Sequence, residues 1–444
     1  MDILTAVIIG FVVVTALAAA DMPGNTKNAQ AVAEVLSGKR VVANAAWWGF
    51  DEEDATEALQ SAINSGAKRV IVPNMTKDWI VRPVTLVGDQ ELVVEDGVVI
   101  TAKRGEYRGG GDCVLTARDV SNLTIRGYGA TVRMQKEDYI VGKVLLDMGW
   151  QRWFGQYVKA EWRMPLSLQG CRNVKVYGLT LRDSGGDGII VGRGGARAYS
   201  QNIHIKDVVC DNNYRQGISV ISVEGLLVEN CVFQNTWGTP PSAGVDLEPD
   251  TPDERLRDIV FRNCLFADNY GDGIEVFLAN LTPDSGDVSI LFDNCRVTSR
   301  RGAGIRVTKV GDGGPRGVIE FRDCAVENTE GYGIKVQEKS ADRARLKFVN
   351  CTVRNAANNR SYEDAWAPIS LNLKQMTRFG GVDFITCLVE DDQDRPAVAV
   401  EKQDPNAGIF DITGTIAVRN PFGAKAAIGD KQQGVTLVVR ESDE

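Results

Sequence analysis

Two carboxylates and two cations occupy matching positions in successive short segments of the chain, and a third carboxylate lies close to the first. Asp246, Glu275, Arg306 and Lys335 each stand between two apolar residues, and Glu248 lies two residues after Asp246. Because side chains alternate along a strand, these polar residues face outward if their apolar neighbours face a core. Acid–base cleavage of a glycosidic bond requires a pair of carboxyl groups that can reach the substrate, and outward carboxylates meet this requirement.

The spacing expected for these carboxylates leaves two hydrolytic geometries open. On neighbouring strands Asp246 and Glu275 would lie ~4.8 Å apart, Asp246 and Glu248 on one strand ~6.6 Å, and Glu248 and Glu275 ~8 Å on the diagonal. Retaining glycosidases hold their carboxyl groups ~5–5.5 Å apart and inverting ones ~6.5–9.5 Å. Stacked carboxylates also repel, which should raise the pKa of one and supply a general acid. Since stacked like charges cost stability, we interpret Asp246, Glu248 and Glu275 as catalytic rather than structural.

The same residues permit a second chemistry. Asp246, Glu248 and Glu275 are hard oxygen ligands of the kind that hold Ca²⁺. A bound calcium ion would neutralise a uronate and acidify its C5 proton, which Lys335 or Arg306 would remove. Arg306 is the poorer base because a guanidinium stays protonated. In the hydrolytic interpretation no cofactor is needed, and Arg306 and Lys335 bind a uronate or sulfate of the substrate.

Aromatic residues occur on the turns that lead into these strands. Trp237, Tyr270 and Trp366 are the candidates, and rings of this kind stack on sugar faces. Two of the turns, before Asp246 and before Ser370, are longer than the others. The sequence therefore predicts Trp237, Tyr270 and Trp366 as substrate-binding residues.

The segments that carry these residues form an internal repeat. Its glycines are separated by 29, 27, 29, 31 and 29 residues, and each unit shows three short strand patterns without a helical stretch. A fixed period of this size is typical of solenoids. The sequence thus predicts an all-β protein, a right-handed parallel β-helix with a short N-terminal capping helix. The repeat glycines are Gly188, Gly217, Gly244, Gly273, Gly304 and Gly333.

Cysteine also follows the repeat. Aligning the repeats assigns seven cysteines to one position in the unit, and stacked neighbours ~4.8 Å apart with parallel side chains do not suit a disulfide. We therefore expect a buried ladder of free thiols. The residues are Cys210, Cys231, Cys264, Cys295, Cys324, Cys351 and Cys387.

The N-terminal part has a different character. Residues 3–20 are uncharged and end in three alanines, which predicts a signal peptide over residues 1–20, with an uncleaved anchor as the alternative. Residues 21–80 are assigned to an N-terminal cap with a helix over Asp54–Ile63, and residues 81–444 to the β-helix. The protein is therefore expected to be secreted, periplasmic or on the cell surface. The net charge of −9 argues against nucleic acid or an anionic membrane surface as the main partner.

These features resemble the pectate-lyase superfamily, which includes pectate lyases, polygalacturonases and phage tailspikes. The resemblance rests on Trp47-Trp48-Gly49-Phe50, on the segment from Asp54 to Gln60, on the strand ending at Pro73 and on the β-coils. Along the repeats, the acidic positions come before Arg306 and Lys335, and this order is similar to that in polygalacturonases. The resemblance is incomplete, because Gly302-Ala303-Gly304 stands where the Gly-His-Gly of polygalacturonases would fall. Acidic calcium ligands paired with a basic residue on nearby coils are similar to pectate lyases.

From these patterns we expect an exported polysaccharide-processing enzyme. The first hypothesis is a glycoside hydrolase acting on an acidic or sulfated glycan. The alternatives are a calcium-dependent polysaccharide lyase or C5-epimerase, and a non-catalytic glycan-binding or surface protein. The expected partner is the polysaccharide itself, and the oligomeric state stays open.

Overall fold

The computed structural model describes residues 24–139, 157–158, 160–359, 366–373, 378–402, 407–429 and 432–442. The predicted signal peptide, residues 1–20, lies outside the described residues. Two α-helices and a 3₁₀ turn lie near the start, and a second 3₁₀ turn comes later. They are α1 (Ala29–Leu36), the turn Ala45–Trp48, α2 (Thr56–Ile63) and the turn Pro283–Ser285.

The helix expected over Asp54–Ile63 is confirmed as α2, whereas α1 was not predicted. Asn28 caps α1, since its side chain accepts a hydrogen bond from the Ala31 N–H, and the buried Ala31 and Val35 hold the helix against the core. Parallel pairing already begins at β1, inside the segment assigned to the cap.

Thirty-seven strands make up most of the remaining described residues. In chain order they are β1 (Val42–Asn44), β2 (Arg69–Val72), β3 (Trp79–Val81), β4 (Val84–Thr85), β5 (Gln90–Val94), β6 (Val99–Ala102), β7 (Leu115–Arg118), β8 (Ser121–Arg126), β9 (Thr131–Arg133), β10 (Leu166–Gln169), β11 (Arg172–Tyr177), β12 (Thr180–Arg182), β13 (Ile189–Gly192), β14 (Ser200–Lys206), β15 (Val209–Asp211), β16 (Gln216–Val220), β17 (Val223–Glu229), β18 (Val232–Gln234), β19 (Ala243–Leu247), β20 (Leu256–Arg262), β21 (Leu265–Asn269), β22 (Ile274–Phe277), β23 (Val288–Asp293), β24 (Arg296–Ser299), β25 (Ile305–Val310), β26 (Gly317–Arg322), β27 (Ala325–Thr329), β28 (Ile334–Lys339), β29 (Arg345–Val349), β30 (Thr352–Arg354), β31 (Ile369–Leu373), β32 (Arg378–Glu390), β33 (Val398–Lys402), β34 (Gly408–Arg419), β35 (Ala426–Ala427), β36 (Gln432–Gln433) and β37 (Thr436–Glu441).

The strands stack as a parallel β-helix. In a central coil β17 pairs with β14 and β20, β18 with β15 and β21, and β19 with β16 and β22, all in parallel. Each coil therefore contributes one strand to each of three walls. Twelve strands, from β4 through β19 to β35, form one separate wall, which we call the face sheet.

Ladders of identical residues fill the interior between the walls. Five phenylalanines stack with ring centroids 4.9–5.3 Å apart and interplanar angles of 7–11°. This spacing matches the distance between neighbouring strands, so that each coil adds one ring to the column. The rings belong to Phe261, Phe292, Phe321, Phe348 and Phe384.

The predicted ladder of free thiols is confirmed for six of the seven cysteines. All nine cysteines of the chain are free and buried, and from Cys231 to Cys387 each Sγ approaches a backbone carbonyl of the preceding coil within 3.2–3.7 Å. The assignment of Cys210 to this row was wrong. Cys210 lies inside β15 and is opposite Phe233 of β18. Cys231 lies just before β18 begins, so Cys210 and Cys231 do not occupy the same position in successive coils.

The repeat glycines are required by close approach between coils. A Cβ atom on Gly188, Gly217, Gly244, Gly273 or Gly304 would lie 2.5–2.9 Å from the carbonyl oxygen of the next glycine in the row. Contacts that short do not occur for real Cβ atoms, so the backbone stacks this closely only because each position is glycine. The row of glycines leads directly into the face sheet.

Candidate functional site

The face sheet carries the predicted row of outward residues. Its parallel register pairs Ser219 with Asp246, Asp246 with Glu275, Glu275 with Arg306, and Arg306 with Lys335. The neighbours Val245 and Leu247 of β19 are fully buried, as expected for residues that point into the coil. The predicted order of side chains along the helix axis is therefore confirmed.

Asp246 is the most deeply buried of the three predicted catalytic carboxylates, with only 2% of its surface exposed. Its Oδ2 accepts a hydrogen bond of 2.9 Å from Nε2 of Gln216, and its Oδ1 has no hydrogen-bond partner among the described residues. Burial and the nearby charges of Glu275 and Glu248 raise the pKa of Asp246 well above its usual range, while Arg215 opposes the shift. Burial and the two neighbouring charges therefore favour the protonated form of Asp246.

Glu248 follows β19 directly and is more accessible. Its backbone N–H donates to the carbonyl of Val220 at 3.3 Å, which continues the ladder of β19 by one residue. Its side chain is 31% exposed and lies with one carboxylate oxygen 3.7 Å from a guanidinium nitrogen of Arg215. Glu275, on the next coil, is also partly exposed. Glu248 and Glu275 are thus the carboxylates of the cluster that solvent and substrate reach.

Arg215 is a residue that the sequence interpretation missed. Its guanidinium lies 3.8 Å from Glu161, 4.0 Å from Asp187 and 3.7 Å from Glu248. The side chain is only 18% exposed, so these carboxylates interact with it in a poorly solvated environment. Arg215 therefore links three acids that lie far apart in the sequence.

Asp187 was also missed. It is fully buried, neither carboxylate oxygen has a hydrogen-bond partner among the described residues, and burial raises its pKa to about 7 although Arg215 lowers it. Asp187 precedes a repeat glycine in a Gly-Asp-Gly triplet, and Asp272 does the same three coils later. An acid between two glycines at a repeat position was the available signal for both residues.

The two predicted anion-binding cations differ in their surroundings. Nε of Arg306 donates to Oδ2 of Asp272 in a short contact, and Nη2 donates to Oδ1 at 3.1 Å. Arg306 is thus already engaged by a buried carboxylate. Lys335 is largely buried, with Nζ 5.0 Å from the centre of the Tyr332 ring. The stacking of Arg306 on Lys335 is as predicted, but a substrate anion would meet Arg306 with part of its charge compensated.

Trp237 and Tyr270 lie together, apart from the carboxylates. Both line one cleft of about 470 Å³, whose lining contains none of the three predicted catalytic acids. As expected, Trp237 and Tyr270 lie on turns that lead into strands of the face sheet. Trp366 is 37% exposed and directly follows residues 360–365, which lie outside the described residues.

Within the described part of the chain, no group of three or more His, Cys, Asp or Glu side chains is placed to hold a metal ion. No helix within it is long and apolar enough to cross a membrane. His204 lies on another wall, with Nε2 3.0 Å from Glu229 and Nδ1 3.1 Å from the Tyr177 hydroxyl.

Comparisons with known proteins agree on the architecture. Residues 165–309 match the model of the right handed beta helix region. The uncharacterized protein YclG of Bacillus subtilis is 23% identical over 259 residues, which is 53% of this chain, and the chain spans 43% of the length of that curated relative.

Solved structures share the fold over most of the chain at low identity. The A-module of the mannuronan C-5 epimerase AlgE6 of Azotobacter vinelandii is 15% identical with a TM-score of 0.60, and the match covers 89% of this chain and 98% of the module. A family 28 exopolygalacturonase of Yersinia enterocolitica is 14% identical with a TM-score of 0.58, covering 89% and 79%. An iota-carrageenase complexed to iota-carrageenan fragments is 13% identical with a TM-score of 0.50, covering 83% and 92%. The chain thus has the right-handed parallel β-helix fold of the pectate-lyase and polygalacturonase-like proteins.

Proposed function

We propose that this protein is an exported glycoside hydrolase that cleaves a polysaccharide on its face sheet. The observation that carries the proposal is the buried carboxyl of Asp246, in register with Glu275, two residues from Glu248, and with its pKa raised well above the usual range. One protonated and one ionised carboxyl within a single cluster are what glycosidic cleavage needs. Polysaccharide-acting enzymes with this fold support the substrate class.

The three acids divide into two accessible groups and one buried group. Asp246 keeps the shared proton beneath the surface, because it is the least hydrated and feels the charges of both neighbours. Glu275, the partner of Asp246 on the next coil, then acts as the general acid: it takes this proton from Asp246 and passes it to the leaving oxygen, which leaves Asp246 ionised. Glu248, beside the positive charge of Arg215, acts as the base or nucleophile.

An acidic or sulfated glycan is the proposed substrate. Beyond Glu275 the row continues with Arg306 and then Lys335, so a chain lying along the helix axis would pass from the acids to the cations. Arg306 and Lys335 together are assigned the attraction for a uronate or sulfate, with part of the charge of Arg306 compensated by Asp272. Export is proposed because polymeric glycans of this kind are outside the cell.

The test measures activity on a panel of polysaccharides with two assays, one for reducing ends and one for unsaturated uronate. Polygalacturonate, alginate, iota-carrageenan and neutral dextran are incubated with the protein, with added Ca²⁺ and separately with chelator, while reducing ends and the absorbance of unsaturated uronate are followed. The hydrolase predicts new reducing ends on at least one acidic polymer, no gain in absorbance, and no effect of chelator. Glu275→Gln should abolish the signal.

Other outcomes would replace the proposal. Absorbance that depends on calcium would make the protein a lyase and recast Asp246, Glu248 and Glu275 as metal ligands. A changed uronate stereochemistry without cleavage, seen by proton NMR, would make it a C5-epimerase. Binding to a polymer with no turnover in any channel would make it a non-catalytic glycan-binding protein.

A further inference from the structure

Trp237 and Tyr270 occupy equivalent positions on consecutive coils. Strands β18 and β21 pair in parallel, with Val232 opposite Leu265 and Gln234 opposite Ala267, and continuing this register brings the two aromatic residues opposite each other. The Tyr270 N–H donates to the carbonyl of Thr236 at 2.8 Å, which extends the pairing to this point. The rings therefore form a two-step ladder along the helix axis, one coil apart.

Both rings are fixed in place and yet remain open to solvent. Trp237 donates from Nε1 to Oδ1 of Asn212 at 2.9 Å, and Nζ of Lys136 lies 4.3 Å from the centre of its ring. The guanidinium carbon of Arg301 lies 4.8 Å from the centre of the Tyr270 ring. Even so, Trp237 is 48% exposed and Tyr270 is 40% exposed. Because each ring carries one of these groups over a face, the exposed surface belongs to its remaining face and edges.

The rest of the cleft is polar. It is lined by Asn212, Asn235, Thr236, Asp268 and Arg300 besides the two rings. The hydroxyl of Thr236 is buried and has no hydrogen-bond partner among the described residues. Two exposed rings beside amide and charged side chains indicate a ligand that combines an apolar face with hydrogen-bonding groups.

We propose that this cleft, defined by Trp237, Tyr270 and Thr236, is an accessory glycan-binding site separate from the carboxylate row. A sugar ring suits it, because its C–H face stacks on an aromatic ring while its hydroxyls reach amide, hydroxyl and charged side chains. An apolar protein segment would leave those polar groups unpaired. Trp237 and Tyr270 lie on the same coils as Asp246 and Glu275, so the site would hold polymer alongside the stretch being cleaved. The choice of polysaccharide as the ligand rests on the proposed function.

Affinity electrophoresis tests this site without relying on turnover. Native gels are cast with polygalacturonate, alginate, iota-carrageenan or dextran, and the Asp246→Asn background prevents digestion of the polymer. At least one polymer should retard the Asp246→Asn protein. Adding Trp237→Ala or Tyr270→Ala should weaken binding roughly 5- to 10-fold, in line with the loss of one aromatic contact. Trp237→Phe, which keeps a ring, should restore most of the retardation.

The test includes a matched control variant, and two outcomes would contradict the proposal. Phe422→Ala removes an aromatic residue of similar exposure elsewhere on the chain and should leave retardation unchanged. Retardation that Trp237→Ala and Tyr270→Ala leave unaltered would overturn the proposal, and so would the absence of retardation in every gel. If Trp237→Ala abolishes retardation while the protein with Asp246 intact releases no reducing ends from any polymer, the result would support the cleft and contradict only the hydrolase.

Discussion

Gln216 donates a hydrogen bond of 2.9 Å from Nε2 to Oδ2 of Asp246. The orientation of its amide is fixed, because its Oε1 accepts a hydrogen bond of 3.0 Å from the backbone N–H of Ala243. The Gln216 side chain can therefore only donate to Asp246, and Oδ2 is the oxygen that must accept. The proton of a neutral Asp246 then belongs on Oδ1, the oxygen without a partner among the described residues.

Replacing Gln216 should disturb proton placement more than substrate binding. Gln216→Leu leaves Oδ2 of Asp246 without its donor and frees the proton to sit on either oxygen. We expect kcat to fall by roughly 10-fold, with KM changed less than 2-fold, when reducing ends are measured over a pH series. An unchanged kcat across the series would mean that the Gln216–Asp246 bond has no role in the reaction.

Arg215 is predicted to act as a positioning residue for the ionised acids. Arg215→Gln removes the positive charge shared by Glu161, Asp187 and Glu248, so the acidic limb of the pH profile of kcat/KM should move to higher pH. Unfolding should become easier by about 2–4 kcal/mol, since the change leaves poorly solvated acids without a counter-charge. Arg215→Lys keeps a charge and should restore part of the wild-type profile. A purely structural role would lower stability and leave the profile where it is.

The free energy of unfolding should depend on pH, because Asp187 binds its proton more tightly in the folded state than in the unfolded state. Its pKa is raised from 3.8 to about 7, so between these values the folded state keeps a proton that the unfolded state has lost. Stability contributed by this group therefore falls as pH rises from about 4 to 7. Asp187→Asn should unfold like wild type near pH 4 and be more stable at pH 8, by on the order of 4 kcal/mol at most.

Urea unfolding at the two pH values measures this difference, and the control is Asp284→Asn, which alters an exposed aspartate. That variant should follow wild type at both pH values. An Asp187→Asn variant no more stable than wild type at pH 8 would show that Asp187 is ionised in the folded protein without appreciable cost.

Two glycines allow a direct test of how closely the coils stack. At Gly273 an added Cβ would lie 2.1 Å from Cγ1 of Val297 and 2.7 Å from the carbonyl oxygen of Gly304, whereas at Gly311 it would meet nothing within 4 Å. Gly273→Ala should lower the free energy of unfolding by about 1–3 kcal/mol, and Gly311→Ala by less than about 0.5 kcal/mol. Equal effects in thermal or urea unfolding would contradict the assignment of the repeat glycines to close approach.

The sequence allowed the fold and the row of outward residues to be predicted because both follow from strict periodicity. Glycines about 29 residues apart fixed which strands are neighbours, and alternation within each strand fixed which side chains point out. Asp246, Glu275, Arg306 and Lys335 consequently lie in the predicted order. Periodicity does not show how deeply a side chain is buried. The sequence therefore did not predict that Asp246 is buried while Glu248 and Glu275 are partly exposed.

Residues at the turns were harder to predict, because alternation fails there. A Cβ on Gly188 would point at Sγ of Cys210 inside the coil, and Ile189 also points inward. Asp187, two residues before Ile189, is also fully buried, and strand alternation does not predict that its carboxylate lies beside Arg215. The sequence assigned Trp237 to the turn before Asp246, but only the register of β18 with β21 shows that it shares a cleft with Tyr270.

The most direct test of the central claim compares matched glutamate variants on the polymer that wild type cleaves. Glu275→Gln and Glu248→Gln remove the proposed acid and base, whereas Glu224→Gln alters a glutamate of similar exposure on another wall of the same region. We predict that release of reducing ends falls by about 10²–10⁴-fold in the first two and less than 2-fold in the third, with all three proteins folded. Turnover retained in both Glu275→Gln and Glu248→Gln would contradict the assignment of catalysis to the face sheet.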